Sequence, residues 1–381
     1  MKRSRWLASG AALALLVGAC GGSSAAPSAS APAAASGTAA PSATAAASKK
    51  PTTAAELAMY RGADRQQILE AGARAEGSVV FYTSNSGIES LSKEFEKKYP
   101  FIKVNTLRGQ NTEIQKRVAE ELAANKLQFD VIESSGEGIG QMIPQGFFQE
   151  WWSPEIAAFP DYAQTKGKNG GVIVLADREI YSGIGWNTKL IPSSDVPKKL
   201  DDLLDPKLKG KMGIVNTSSG VNWMGEILEE KGLDFVKKLA AQQFKVQSTT
   251  AAALTDLVVS GEIPMSPVIG WANVQLAKAK GAPIEWYPIE PVDTTIGSSG
   301  LTVKPPHPHA ALLLLDFIHS KAGQEQAFTI AQLVSPRSDI PSKVGASFRK
   351  VVLSQAYTPA QYEKTYGGWE QTFRQLFLVS R

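Results

Sequence analysis

The sequence predicts an α/β protein built as two lobes, and three observations carry that prediction. Strand-like runs alternate with amphipathic helical segments from Gly77 onward. The alternation breaks near the middle of the chain, where two extended runs follow one another and Pro192, Pro197 and Pro206 gather. A second alternating set then follows, and a body of about 330 residues is long enough for two cores of ordinary domain size.

Taken in order, a helix is expected over Ala54 to Ala75, after which Gly77 opens the strand SVVFYTS (Ser78–Ser84). In NSGIESLSKEFEKKYP the residues Ile88, Leu91, Phe95 and Tyr99 share one helical face, and Pro100 stops the helix. IKVNTL (Ile102–Leu107) is a second strand, and Ile114, Val118 and Leu122 then recur four apart on another helix. FDVIES (Phe129–Ser134) is a third strand, followed by a short helix ending near Gly146. Strands separated by helices favour a mainly parallel sheet covered on both faces. GVIVLA and YSGIGWN (Tyr181–Asn187) are the two successive extended runs. Beyond them come KMGIV, a helix from about Gly220 to Lys231, a helix around Leu233 to Gln242, and STTAAALTDLVVSGEIPMSPVIG. A helix at Asn273 to Lys280, a strand at PIEWYPI (Pro283–Ile289), and the strand and helix GSSGLTV and HAALLLLDFIHS complete the order.

The N-terminus has the pattern of a targeting segment. Lys2, Arg3 and Arg5 precede a short apolar run, Trp6 to Val17, that is too short to span a bilayer securely. The run closes on Val17-Gly18-Ala19-Cys20, which resembles the lipobox of bacterial lipoprotein signal peptides. That resemblance implies a signal peptide over residues 1–19, cleavage before Cys20, and lipid attached to the Cys20 sulfur. Cys20 is the single cysteine, so it has no partner for an internal disulfide. Residues 20–50 then form a tether, of which 21–48 are only Gly, Ser, Ala, Pro and Thr. Such a stretch lacks the apolar surface to offset chain entropy and is expected to stay disordered, with a reach of roughly 30 Å.

The net charge of +4 is set by this N-terminal part. Five of the 40 basic residues and no acids precede Pro51, which leaves 35 basic against 36 acidic residues in the body. A near-neutral body offers no electrostatic footprint for nucleic acid. No G-x-S-x-G, H-E-x-x-H or C-x-x-C motif occurs, and no catalytic residue is assigned.

Four stretches, GSVVFYTSNSGIESLSKEFEKKYPFIKV, IGWNTKLIP, LDDLLDPKLKGKMGIVNTSSG and VKPPHPHAALLLLDFIHSKAGQEQ, together resemble the extracellular solute-binding proteins of ABC importers. The similarity is to the branch of ferric-ion, polyamine and small-oxyanion binders, and it covers about Gly77 to Ile340. The resemblance implies the type II periplasmic-binding-protein fold: two lobes, two hinge crossings and a ligand cleft between them. By that analogy lobe 1 is 77–185 with 288–345, lobe 2 is 186–287, and 346–381 is a C-terminal helical segment. It also implies a small-molecule solute and a membrane ABC permease as partners, no cofactor, and a monomer.

In such lobes the loops after strands point into the cleft. Polar clusters occupy those places at Ser84-Asn85, Ser134-Ser135, Asn216-Thr217-Ser218-Ser219 and Ser298-Ser299. Their hydroxyls and the free N–H groups of helix starts suit a carboxylate or phosphate-like group, although the same residue types also cap helices. Arg108 and Arg178 are candidate clamps for a carboxylate, and Trp271 for stacking on a flat ligand. Glu133, Glu137 and Asp177 are the acids available to a polyamine, but they are scattered. The ferric binders of this branch carry adjacent tyrosines where this chain has Gly270-Trp271-Ala272-Asn273, which argues against bare Fe³⁺. His307-Pro308-His309 looks like a metal motif but is expected to be a surface turn, and no metal site is assigned. A small organic or oxyanionic solute is therefore the expected cargo. A polyamine or ferric chelate, or an enzyme or sensor on the same scaffold, are the alternatives.

Overall fold

The structure is a computed structural model; it describes residues 49–344, 348, 350–351 and 359–378. The signal segment, Cys20 and nearly all of the expected tether lie outside these residues.

The first layer of organisation is a sheet in the order β2-β1-β3-β10-β5-β4. Its strands are β1 (Ser78–Thr83), β2 (Lys103–Arg108), β3 (Val131–Ser135), β4 (Gln164–Lys166), β5 (Val172–Asn187) and β10 (Val292–Leu301). β1 alternates as a two-faced strand should: Val79 and Phe81 enter one core, Tyr82 the other. Helices α2 (Arg65–Glu76), α3 (Ser86–Lys98), α10 (Pro308–His319) and α11 (Lys321–Ala331) supply the first core through Leu69, Leu91, Phe95 and Leu312. Helices α4 (Asn111–Ala123) and α5 (Gly136–Met142) supply the second through Ile114, Val118 and Ile139.

The second lobe is built on the far half of β5. There β5 pairs with β8 (Met265–Gly270) and with β9 (Ile284–Tyr287). β6 (Gly213–Val215) pairs with β7 (Lys245–Gln247) and meets β8 through a parallel bridge, Met212 to Met265. Helices α6 (Ser218–Lys231), α7 (Leu233–Ala240), α8 (Ala251–Ser260) and α9 (Trp271–Ala279) cover it, with Val221, Met224, Leu239, Leu254 and Val274 in the core. There is a short helix α1 (Ala54–Ala58) at one end and β11 (Lys350–Val351) beside β10, and the last described α-helix is α12 (Pro359–Phe373), which runs on into a π-helical turn, Arg374–Leu378. It sets Trp369 and Phe373 into this same lobe-2 core.

Three sequence expectations are corrected. The helix expected over Ala54 to Ala75 is two helices. Arg65 N–H donates to the Gly62 carbonyl and the Tyr60 hydroxyl to Asp64, so the chain turns between them. The two extended runs around residue 180 are one strand, β5, because the intervening charges are buried and paired in the sheet. The sheet is mixed: β1, β2 and β3 are parallel, whereas β10 is antiparallel to both β3 and β5.

Gly220 shows how tightly α6 is set against β6. A Cβ there would stand 1.9 Å from the Val215 carbonyl oxygen, which is backbone and cannot move aside. Gly220→Ala is expected to lower stability by about 1–3 kcal/mol. Gly368→Ala on α12, where nothing lies within 4 Å, is expected to raise it by about 0.5–1 kcal/mol. Urea unfolding midpoints of the two variants check both signs.

Candidate functional site

Strand register alone places the candidate residues. Ser135 pairs with Gly297 and Val131 with Leu301, so the C-terminal end of β3 lies toward the start of β10. That start pairs with Tyr181, one residue before β5 enters the second sheet, where Ser182 meets Gly270 at the end of β8. β6 runs parallel to β8. The C-terminal ends of β1, β2 and β3 in lobe 1, and of β6 and β8 in lobe 2, therefore all face the crossing. Ser84, Asn85, Arg108, Ser134 and Ser135 lie on the first edge; Asn216, Thr217, Ser218, Ser219 and Trp271 lie on the second.

The two edges differ in how their helix starts are satisfied. On lobe 1, Asn85 Oδ1 accepts from Gly87 N–H at 2.8 Å and Ile88 N–H at 3.1 Å, capping α3. Ser135 accepts from Gly138 N–H and from Asn111 Nδ2, while the Ser134 hydroxyl donates to Asn111 Oδ1 at 2.8 Å. Ser134 is fully buried in that network and Ser135 half-buried. Arg108 stands at the surface, 3.1 Å from Glu89. On lobe 2, Asn216 bonds Ser248, but Thr217, at the N-cap of α6, makes no side-chain cap. Thr217 and Ser218 are exposed, Ser219 is half-buried, and the first turn of α6 holds no acid. An uncapped helix start carries free N–H donors and the positive end of the dipole.

Arg178 is not an open clamp. It is 2% exposed, and its guanidinium is held between Glu133 and Asp177 beneath the lobe-1 edge. Glu133 also accepts from the Thr83 hydroxyl and from Ser84 N–H, so it ties β1, β3 and β5 together. Neither acid faces outward for a polyamine, because both are buried. Burial pushes the Asp177 carboxyl up to about 7; Arg178 opposes the shift and Glu133 adds to it. Ser298 and Ser299 lie within β10 and face no loop.

Trp271 is also covered. Its ring is 8% exposed and lies 6.0 Å from the ring of Phe328 on α11, so it is not an open stacking platform. The histidines are more deeply engaged than a surface turn requires. His307 bonds Asp130 at 2.9 Å, His309 bonds Glu76 at 2.6 Å, and His319 is buried against the Leu315 and Leu175 carbonyls. Among the described residues, no group of three or more His, Cys, Asp or Glu is placed to hold a metal ion. Sequence reasoning missed Asn111, although an Asn opening the helix after β2 is a legible signal. It also missed Glu179, which receives the hydroxyls of Tyr162 and Tyr181 and whose partners are remote in sequence.

Two α/β lobes joined through a shared strand, with facing polar edges, define a hinged receptor for a small solute. The chain belongs to the bacterial extracellular solute-binding protein family, whose model matches residues 90–348. It is similar to the iron-bound HitA of Pseudomonas aeruginosa, with 18% identity over 77% of this chain and 98% of that one, and a TM-score of 0.64. It is similar to the substrate-binding protein of an Agrobacterium tumefaciens ABC transporter, with 16% identity over 78% and 94% of the chains and a TM-score of 0.66. It also matches AfuA of Actinobacillus pleuropneumoniae bound to fructose-6-phosphate, with 22% identity over 80% and 100% of the chains and a TM-score of 0.60. The two-lobed periplasmic-binding-protein fold and an extracytoplasmic solute-binding role follow.

The buried groups predict a pH signature. An unfolded Asp ionises near 3.8, whereas Asp177 holds its proton to about 7, so its contribution to stability is lost as pH rises through that window. Burial lowers His319 from 6.5 to about 4, so its contribution is lost as pH falls from 6.5 toward 4. The two slopes oppose. Asp177→Asn is expected to leave stability rising more steeply with pH between 4 and 6.5 than in the wild type, measured by urea midpoints.

Proposed function

We infer that the protein is the substrate-binding component of an ABC importer, that it acts as a monomer, and that it captures a small organic anion between its lobes. The observation that carries this reading is the start of α6. Thr217 leaves it without a side-chain cap, no acid occupies its first turn, and it stands on the edge of lobe 2 that faces lobe 1. A carboxylate, phosphate or phosphonate supplies the negative charge that such a helix start favours. Ser218 and Ser219, with Asn216 and Thr217 beside them, are lobe 2's half of the site. Ser84, Asn85 and Ser135 offer short polar groups from lobe 1. Arg108 is held only by a surface pair worth about 0.2–1 kcal/mol, so a ligand carboxylate can replace Glu89 as its partner. Closure of the lobes on the anion then presents the form the permease receives.

The test is a thermal-shift screen of the full-length chain against organic acids, sugar phosphates, phosphonates, polyamines and Fe³⁺. A ligand at 100 times its dissociation constant adds about 2.7 kcal/mol of stability. Shifts with anions alone are expected; a shift with polyamines or Fe³⁺ alone sinks the reading. Ser218→Asp separates binding from folding: the new carboxylate complements the α6 dipole, stabilising the free protein by about 0.3–1 kcal/mol, yet it is expected to abolish the ligand-induced shift.

The lipobox-like Val17-Gly18-Ala19-Cys20 supports anchoring of the mature chain through lipid on Cys20. Cys20→Ser is expected to move the protein from the membrane fraction to the soluble extracytoplasmic fraction. Retention in the membrane would remove the anchor from the model of function.

A further inference from the structure

Trp271 opens α9 on the cleft-facing edge of lobe 2, yet its indole is not part of that lobe's core. It packs instead in a separate apolar cluster with Tyr181, Val292 and Val334 as the other buried members. The ring it meets, Phe328, stands on α11, which packs on α3 and α10 in lobe 1. Val334 belongs to lobe 1 as well, since its carbonyl accepts from the Glu179 N–H on the near half of β5. The Tyr181 hydroxyl donates to Glu179 on the lobe-1 half of β5, and Tyr181 belongs to the same apolar cluster as Trp271.

Among the described residues, the lobes are joined by β5 near residue 181 and by the 288–291 stretch between β9 and β10. Rotation about these carries α9 with lobe 2 and α11 with lobe 1. The lobes therefore cannot part at this end of the cleft without drawing the Trp271 ring out of its contact with Phe328. We propose that Trp271 is an interlobe latch, seated in a lobe-1 socket of Phe328, Val334 and Tyr181, which sets the balance between closed and open forms before any ligand binds. The latch does not depend on the identity of the solute. Its effect on uptake is indirect: when the competent form is only a fraction of the population, apparent affinity falls by that fraction.

An aromatic pair of this kind is worth about a two- to tenfold change in an equilibrium. Small-angle X-ray scattering of the ligand-free full-length chain reads the open-to-closed ratio directly. Trp271→Ala and Phe328→Ala are each expected to raise the radius of gyration, with the open form gaining about two- to tenfold. Trp271→Phe, which keeps a ring against Phe328, is expected to stay near the wild type. The double alanine variant is expected to open no further than either single one, because both remove the same contact. Unchanged scattering in Phe328→Ala, with near-ultraviolet circular dichroism showing an intact fold, overturns the proposal, as does simple additivity in the double variant. If Trp271→Ala does not fold, Phe328→Ala decides alone, since Phe328 is only half-buried.

Discussion

The shared strand β5 is the constraint on which the rest of the molecule depends. Its sixteen residues serve two sheets in turn, pairing with β10 as far as Tyr181 and with β8 from Ser182 onward. A strand that changes partners within one residue cannot carry bulk on every face at the change. Gly183 and Gly185 meet that requirement: a Cβ on either would stand 2.7 Å from the Trp286 ring or the Ile269 side chain respectively. Trp286 lies over Gly183 and donates its indole N–H to the Ile269 carbonyl, stapling β9 to β8 across β5. Because β5 is continuous and its register fixed on both sides, the edges that face one another are fixed too.

That continuity has an electrostatic consequence. Asp177, Arg178 and Glu179 read as a polar break between two strands, yet the strand runs through them and takes all three out of water. Isolated, each charge would be costly in the sheet interior. They are tolerable because Arg178 sits between Glu133 and Asp177, and Glu179 receives two tyrosine hydroxyls. Removing one partner of such a set leaves an unpaired buried charge, which costs about 3–5 kcal/mol. The set is thus a joint between β1, β3 and β5, and that is why its members are unavailable to a solute.

The elements with strong periodicity were legible from sequence because each side chain has a local reason for its position. β1, α3, α4 and α10 follow directly from the alternation and four-residue spacing of their apolar residues. The antiparallel placement of β10 was not legible, because it is decided by which strands it lies between and not by its own residues. At the site, the stations were legible and the roles were not. Ser84, Asn85, Ser135 and the 216–219 cluster lie at strand ends, as their composition suggested. Whether Asn85 caps a helix, or Arg178 is buried, depends on partners that sequence spacing does not reveal. Trp271 illustrates this most clearly: its neighbour Phe328 is on the other lobe.

The contrast between helix starts is the feature hardest to explain by folding alone. α3, α5, α8 and α11 each begin with a side chain that accepts from their first N–H groups, from Asn85, Ser135, Thr250 and Ser320. α6 has three hydroxyl residues at its start and makes no such bond. A missing cap typically forgoes about 0.5–2 kcal/mol, and Thr217 is a residue type able to supply it. Its backbone already has the extended conformation of an N-cap, and Gly220 lets the helix start sit directly against β6. α2, α7, α9 and α10 also start without a side-chain cap, so a bare start alone marks no site. What sets α6 apart is its run of three hydroxyl residues on an edge facing the other lobe, which supports the proposed anion site.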